Sequence, residues 1–398
     1  MAWVLLVALP HGCAPSPVLP VGDQGRPFPA EADERALWSQ AEKEEDKLAK
    51  TGDVHDDPSL VQYLERIAAR VLPREGKAAE GPAIRVIVFR DPTLNAFAMP
   101  NGRVYLHTGL LARVENEAQL AAVMAHELTH VTDRHALTVQ RETRTRRSPF
   151  TDDPGTPVSR TTPEVFAGLR LRWALLAAVD GYGRDLEREA DRRGMERLVE
   201  AGYDPREAPR VLERLELDPD DSSGPEPFLF GNRAELGERI GTTRELLRAR
   251  YAGLDASRLV RNTAEFPLRM RGVVRENAAL DIRAGRFPRA RRQLNRVLVL
   301  APEDPVAHLY YGDLHRLEAQ RANDVRDQAL LLAQAREAYE RAALLDPAYP
   351  DPFRQLGLLY YQGKENDKAM EAFRKYLALK PDAPDARRIQ EYVVELDR

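Results

Sequence analysis

The chain has 398 residues, more than one hydrophobic core of ordinary size accommodates, so we expect two domains. Its 59 basic and 63 acidic residues leave a formal net charge of only −4, which favours neither nucleic acid nor an acidic membrane surface as a partner. Cys13 is the only cysteine, and this excludes an intrachain disulfide and a cysteine-based metal site. A metal site in this protein must therefore use histidine and carboxylate ligands.

The first 13 residues are typical of a secretion signal. A short apolar run at 3–9 precedes Cys13, and a proline-rich stretch that we assign as a linker follows at 14–30. The pattern resembles a bacterial lipoprotein signal, although Pro10 fits poorly and no basic residue precedes the apolar run. Two interpretations stay open: Cys13 is a lipidation site, or it is incidental. No other segment reaches the roughly 18 apolar residues needed to span a bilayer, so we expect membrane contact only through such an anchor.

Residues 31–262 are predicted to form one α+β domain, mostly helical with a small sheet. The dipeptide Asn101-Gly102 between two short β-prone runs is a strong hairpin signal. Asn116 is a plausible N-cap, and Gln119 three residues later gives an approximate capping box. The elements predicted in chain order are helices at 31–50 and 58–72, strands at 84–89, 95–99 and 103–108, a helix from Asn116 to Val131, a loop at 141–163, helices at 163–179 and 184–200, a loop at 217–232 and a helix at 233–251.

The helix that begins at Asn116 carries an H-E-x-x-H motif, His126 to His130. Two imidazoles one helical turn apart project from the same face and can hold one zinc ion. Zinc lowers the pKa of its bound water towards neutrality, and Glu127 is placed to accept that proton as general base while the water attacks a peptide carbonyl. The alternative is that both histidines are structural residues of a helix.

A catalytic zinc usually needs a third protein ligand. No histidine lies between His135 and His308, so this ligand should be a carboxylate. The predicted helix at 184–200 presents Glu187 and Asp191 on one face. We expect Glu187 to ligate the metal and Asp191 to accept the other N–H of a ligating imidazole. The alternative, a solvated helix with salt bridges, is disfavoured by the upstream motif.

Two further histidines are expected to be structural. His135 lies five residues past His130 and should therefore point well away from the metal face. His107 closes a predicted strand. Neither is expected to take part in the metal site.

Residues 263–398 are predicted to form an all-α domain with a repeating pattern. The pattern resembles the tetratricopeptide repeat, a helix pair of about 34 residues, with an insertion near 318–327 in the middle unit. Small residues at Ala278, Gly312 and Gly357 let the paired helices approach, and stacked units form a concave docking surface. The aligned positions are Ala290, Leu294, Val297 and Pro302; Ala335, Tyr339, Ala342 and Pro347; and Ala369, Phe373, Tyr376 and Pro381.

Three segments together resemble the HtpX-like and CAAX-prenyl-protease-like zinc metallopeptidases: 95–102, 126–130, and 187–191 followed by Gly194. With the repeat tail, the chain is most similar to the periplasmic BepA-like subgroup, which acts as protease and chaperone on outer-membrane proteins. The resemblance implies a gluzincin-like metallopeptidase domain with one Zn2+ per chain. It implies His126, His130 and Glu187 as metal ligands and Glu127 as the base.

The resemblance also implies that the hairpin supplies an edge strand to the substrate. An extended peptide can add to such an edge through backbone hydrogen bonds, which gives affinity with little sequence preference. The alternative is a plain structural turn. The residues expected to form the substrate edge are Asn95, Ala96, Phe97 and Ala98.

One position departs from the family pattern. Family members often carry a histidine shortly before an Arg-Ile pair, and here Arg239-Ile240 is present while Arg233 stands near the expected histidine. A guanidinium cannot ligate a metal but can stabilise an oxyanion. Arg233 and Arg239 are therefore expected at most to support the transition state, with surface ion pairing as the alternative for Arg233. Autoinhibition by a metal-capping histidine is not expected.

These observations predict a zinc endopeptidase of the bacterial periplasm. If Cys13 is lipidated, the protein would be anchored there as an outer-membrane lipoprotein. Its substrates would be unfolded or misfolded envelope proteins, and its repeats would dock on an outer-membrane assembly partner. The alternative is a non-catalytic periplasmic chaperone or scaffold that binds partners through the repeats. A membrane-embedded prenyl-protein protease is excluded by the lack of predicted spanning helices. Cobalt or manganese could occupy the same ligand geometry as zinc.

Overall fold

The computed structural model describes residues 18–20, 30–50, 53–72, 81–146, 182–216 and 233–397. Cys13 and the signal-like segment, the predicted helix at 163–179 and the predicted loop at 217–232 lie outside the described residues. The described part of the chain is mostly helical, with one small sheet near its beginning and helices alone after residue 265. This confirms the predicted α+β domain followed by an all-α domain. No described helix has both the length and the apolar composition of a membrane-spanning segment.

The elements of the described residues are numbered in chain order. Most of the predicted helices and strands are present, with ends that shift by a residue or two. The bounds are α1 (Ala32–Ala49), α2 (Pro58–Val71), β1 (Arg85–Phe89), β2 (Ala96–Ala98), β3 (Arg103–His107), α3 (Thr108–Arg113), α4 (Glu117–Thr132), α5 (His135–Arg146), α6 (Arg184–Glu200), α7 (Glu207–Glu216), α8 (Arg233–Arg250), α9 (Glu265–Arg283), α10 (Phe287–Leu300), α11 (Pro305–Arg321), α12 (Val325–Leu345), α13 (Pro350–Gln362), α14 (Asn366–Leu379) and α15 (Ala386–Leu396).

The prediction of a loop at 141–163 is wrong for its first six residues, which belong to the end of α5. Their sequence has no apolar period, but Arg141 forms ion pairs with Asp33 and Glu31 at the start of α1. Contacts with a distant helix therefore stabilise a segment whose local pattern gives no helix signal. The short helices α3 and α7 were not predicted from the sequence.

The three described strands form one sheet in the order β1-β3-β2. β2 and β3 form the predicted antiparallel hairpin, in which Phe97 lies opposite Tyr105. Gly102 in the turn has a φ of +83°, and a Cβ there would lie 2.8 Å from the carbonyl oxygen of Ala83. Both the backbone conformation and the close approach require glycine at this position. β1 pairs with β3 in parallel, which leaves β2 at an edge of the described sheet.

Helix α4 runs through the centre of the core, and every residue from Glu117 to Val131 is buried. Asn116 caps it as predicted, because its side chain accepts the Gln119 N–H at 3.0 Å. Helix α6 packs on α4 at very short range: a Cβ at Gly194 would lie 3.1 Å from the backbone nitrogen of His126. This close approach places the carboxylates of α6 over the histidines of α4.

Helices α9 to α14 pack as three helix pairs, and their close contacts confirm the repeat prediction. A Cβ at Gly312 would lie 2.2 Å from the ring of Tyr339, and one at Gly357 would lie 2.4 Å from the ring of Phe373. The first three aligned positions of each unit are buried, and the aligned proline that follows is exposed. The predicted insertion near 318–327 falls at the end of α11 and the start of α12.

The hydrophobic core continues across the predicted domain boundary at 262/263. Phe266 and Met270 of α9 belong to the same cluster of buried residues as the core of α2 and α4. Thr108 also donates a buried hydrogen bond of 3.0 Å to Asn277 of α9. The first repeat helix is therefore packed as part of the core that holds α4.

Candidate metal centre

His126, His130 and Glu187 meet at one point between α4 and α6. The two Nε2 atoms are 3.1 Å apart, and the Glu187 carboxylate oxygens lie 3.2 Å from His126 Nε2 and 3.7 Å from His130 Nε2. Ligand atoms of a tetrahedral zinc ion, each about 2.1 Å from the ion, lie about 3.4 Å apart. Among the described residues, these three side chains form a group whose donor atoms lie within 4.8 Å of one another and could hold a metal ion.

The other ring nitrogen of His126 faces Asp191. The distance between Nδ1 and Asp191 Oδ1 is 2.9 Å, and Asp191 also binds the guanidinium of Arg239 through both of its oxygens, at 2.6 and 2.8 Å. All three side chains are buried. Asp191 thus lies where an acceptor for a ligating imidazole is needed, and Arg239 balances its charge.

Arg239 lies behind the metal ligands with its charge already partnered. Besides Asp191, its guanidinium is 3.3 Å from Glu187 Oε2 and 3.2 Å from His126 Nδ1. These contacts place its guanidinium among the candidate ligand side chains, and its support of the transition state stays a prediction. Arg233 begins α8, but its side chain lies outside the described part of the chain, so its role stays a prediction.

His130 is held by two aromatic rings that the sequence analysis did not place at the site. Tyr182 stacks on it with ring centroids 4.4 Å apart, and the Tyr182 backbone N–H donates to Glu187 at 3.0 Å. His135 Nδ1 lies 2.8 Å from His130 Nδ1. The expectation that His135 points away from the metal face is therefore wrong, because α4 ends at Thr132 and the chain turns before α5 begins.

Glu127 is buried beside the three candidate ligands. Burial, reinforced by the charge of Glu187, raises the pKa of Glu127 to about 8, although His126, Arg239 and the Ala98 N–H oppose the shift. A carboxylate with a pKa near neutrality can both accept and release a proton at the pH of the cell. Glu127 is therefore the candidate for the general base at this centre.

The protonation of the candidate ligands couples metal binding to proton release. Burial and the charge of Arg239 lower the pKa of His126, but hydrogen bonds to Asp191 and Glu187 raise it overall, to about 9. Burial alone would raise the pKa of Glu187, yet His130 and the neighbouring cations hold it well below its usual range. Glu187 is thus ionised and ready to bind, whereas His126 must lose a proton before its Nε2 can accept a metal ion.

The hairpin strand β2 passes directly beside Glu127. The Asn95 carbonyl and the Met99 N–H bond to β3, so the backbone groups of Ala96 and Ala98 between them face away from β3. The Ala98 N–H reaches the Glu127 carboxylate. Asn95, Ala96, Phe97 and Ala98 are all at most 2% exposed, so this edge is next to the metal centre but not open to solvent.

Comparison with known proteins gives matches for both parts of the chain. Residues 58–247 match the model of peptidase family M48, and residues 277–324 and 332–393 match tetratricopeptide-repeat models. A putative beta-barrel assembly-enhancing protease of Vibrio cholerae is 31% identical over 235 residues, which cover 51% of this chain and 46% of that protein. The beta-barrel assembly-enhancing protease of Escherichia coli K12 is 27% identical over 354 residues, 81% of this chain and 69% of that protein.

A mitochondrial relative matches the peptidase part alone. The metalloendopeptidase OMA1 of Arabidopsis thaliana is 33% identical over 136 residues, 34% of this chain and 26% of that protein. These matches and the fold confirm the predicted resemblance: the chain carries an M48 metallopeptidase domain followed by tetratricopeptide repeats.

Proposed function

We propose that this metalloprotease is a zinc-dependent endopeptidase in which His126, His130 and Glu187 hold the ion and Glu127 is the general base. The observation that carries the proposal is the convergence of three donor side chains within 4.8 Å, next to a carboxylate whose pKa is raised to about 8. A bound zinc ion would polarise the scissile carbonyl and make water more acidic. Glu127 would take the proton of the attacking water and pass it to the leaving amine.

The remaining residues of the centre orient the ligands and balance charge. Asp191 accepts the Nδ1 proton of His126, which leaves Nε2 free to bind. The carboxylates of Glu187 and Asp191 lie next to two buried cationic groups, Arg239 and the protonated ring of His126. A divalent ion would replace the positive charge that His126 loses when its Nε2 is deprotonated.

The substrate would be an extended segment of an unfolded protein. Ala96 and Ala98 direct their backbone groups away from β3 and towards the side of Glu127. A peptide that pairs with them would place its backbone across the metal centre, and pairing of this kind recognises extended chain rather than sequence. Because β2 is buried, substrate access requires this edge to open.

The cellular role that we propose is quality control of envelope proteins in the bacterial periplasm. The relatives named beta-barrel assembly-enhancing proteases support outer-membrane proteins as the substrate class. The repeats at 263–398 would dock an assembly partner, since stacked helix pairs offer a concave surface. The segment 1–13 would direct export, with Cys13 as the lipid anchor and 14–30 as the linker to the peptidase domain at 31–262.

The test is cleavage of casein, an unfolded protein, by the full-length chain loaded with zinc. The wild type should cleave, Glu127→Gln should keep the metal and lose hydrolysis, and Glu187→Ala should lose the metal. Asp185→Ala is the matched control, because this side chain lies on the same helix and is 99% exposed. Equal cleavage by wild type and Glu127→Gln contradicts the assigned base, and equal zinc content in wild type and Glu187→Ala contradicts the third ligand. If neither wild type nor Glu127→Gln cleaves and both suppress aggregation of an unfolded outer-membrane protein, the non-catalytic scaffold is the better account.

A further inference from the structure

The two candidate ligand histidines each have a second ring nitrogen with a close partner. The partner of His126 Nδ1 is the Asp191 carboxylate at 2.9 Å, and the partner of His130 Nδ1 is His135 Nδ1 at 2.8 Å. We infer that His135 is a positioning residue of the metal centre, which accepts the Nδ1 proton of His130 and so orients His130 Nε2 towards the ion. This inference rests on the proposed zinc site and adds a residue to it.

The positions of the protons follow from the geometry. Two nitrogens 2.8 Å apart form a hydrogen bond only if one donates and the other accepts. His130 can bind a metal through Nε2 only when that nitrogen carries no proton, and its neutral ring then carries the proton on Nδ1. His135 Nδ1 must therefore accept, and the proton of the neutral His135 ring is on Nε2.

The surroundings of His135 favour this arrangement. Its Nε2 points towards Glu189, whose Oε2 is 3.8 Å away, beyond hydrogen-bond distance but close enough for the negative charge to favour a proton there. Arg193 donates to the same carboxylate at 3.2 Å and holds it in place. The charge of Glu189 on α6 thus favours the tautomer that His135 needs as an acceptor.

The His130 ring is confined on two sides. Tyr182 stacks on one side at 4.4 Å, and His135 approaches edge-on with centroids 4.9 Å apart. The turn that brings His135 back to the site is itself fixed, because Arg134 has a φ of 59° and its guanidinium donates to Glu34 of α1 at 3.0 Å. The close approach of the two Nδ1 atoms is therefore set by the fold in the absence of metal.

The experiment compares substitutions of His135 that keep or remove the acceptor, in the full-length chain. His135→Asn places an oxygen near the position of Nδ1, whereas His135→Phe keeps a ring without an acceptor. His55→Phe is the control for loss of a buried histidine, because His55 is 7% exposed and belongs to a different part of the core. Zinc affinity is measured by competition with a chromophoric chelator, and metal-free stability by urea unfolding.

We expect His135→Phe to bind zinc about 10- to 100-fold more weakly than the wild type, and His135→Asn and His55→Phe to stay within about three-fold of it. Unchanged affinity in His135→Phe, or equal losses in His135→Phe and His135→Asn, would overturn the inference. If the wild type itself binds no zinc, the proposed function fails instead, so the two failures are distinguishable.

A second measurement needs no variant. Nitrogen NMR of the zinc-loaded wild type with labelled histidine reports which ring nitrogen carries a proton. His130 should be protonated on Nδ1 and His135 on Nε2. A proton on Nδ1 of His135 contradicts the inference even if every substitution at this position prevents folding.

Discussion

Asp191 interacts with both His126 and Arg239, and mutation can separate the effects of these two interactions. Its Oδ1 is shared by His126 Nδ1 at 2.9 Å and Arg239 Nη2 at 2.6 Å, and its Oδ2 binds Arg239 Nε at 2.8 Å. Asp191→Asn keeps the shape of the side chain and removes its charge. Arg239, which is 5% exposed, then stays buried with Glu187 as its remaining anion at 3.3 Å.

The expected losses differ for stability and for metal binding. Breaking a buried ion pair by removing one partner costs about 3–5 kcal/mol, and the nearby Glu187 puts Asp191→Asn at the lower end, about 3 kcal/mol. Loss of the carboxylate behind a ligating imidazole weakens metal affinity by about 10- to 100-fold, or about 1.4–2.7 kcal/mol. The free energy of unfolding is measured by urea unfolding of the metal-free chain, and the zinc affinity is measured by competition with a chelator.

The double variant Asp191→Asn with Arg239→Met decides between the two roles. Removing the buried cation together with its partner should restore most of the metal-free stability, because no unpaired charge remains. Zinc affinity should not recover, since His126 still lacks its carboxylate. Recovery of both quantities would show that Asp191 only neutralises Arg239, and unchanged values in Asp191→Asn alone would refute the reasoning from geometry altogether.

Three further predictions concern the frame around the site. Gly312→Ala should destabilise the repeats by about 1–3 kcal/mol, because its Cβ would lie 2.2 Å from the Tyr339 ring; limited proteolysis should then cut within the repeats while zinc affinity stays unchanged. Glu117→Gln should cost about 1–3 kcal/mol in urea unfolding, because three hydroxyl groups donate to this buried carboxylate and an amide oxygen can satisfy fewer of them. Burial, opposed by the charge of Asp91, lowers the pKa of His107 to about 4, so the stability that its neutral ring contributes is complete above about pH 6.5 and is lost as the pH falls towards 4. When the pH is lowered from about 7 to about 4.5, the unfolding free energy of His107→Gln should therefore fall by about 2 kcal/mol less than that of the wild type. Equal decreases in the two proteins would contradict the lowered pKa of His107.

Local sequence patterns correctly predict two elements that position the site, the helix at 184–200 and the hairpin at Asn101-Gly102. The helix predicted at 184–200 has the same bounds in the structure, since its apolar edge follows one helical period and packs on α4. The Asn101-Gly102 turn predicts the hairpin because Gly102 must adopt a φ that other residues rarely tolerate. In both cases the physical cause lies within the segment itself.

The sequence-based prediction fails where a local conformation is stabilised by residues that are distant in sequence. The chain leaves α4 at Asp133-Arg134, a pair without glycine or proline, so no local signal marks the break that returns His135 to the site. Arg134 is held in this turn by Glu34, a contact between residues 100 positions apart. Tyr182 meets His130 only because α6 packs across α4. The ligand set follows from local spacing, but the side chains that orient the ligands follow from tertiary packing.

Helix α4 carries three of the four central residues of the site, and both of its ends depend on distant segments. At its start, the Glu117 N–H donates to Asn262 Oδ1 at 3.2 Å and the Ala118 N–H donates to the Arg261 carbonyl at 3.0 Å. These are two of the N–H groups that a helix leaves unpaired in its first turn, and the segment leading into the repeats satisfies them. The start of α9 then buries Phe266 in the same core as α4. Cutting the chain near 262 would thus expose an apolar surface and remove partners from the first turn of α4, so the metal centre depends on the full-length chain.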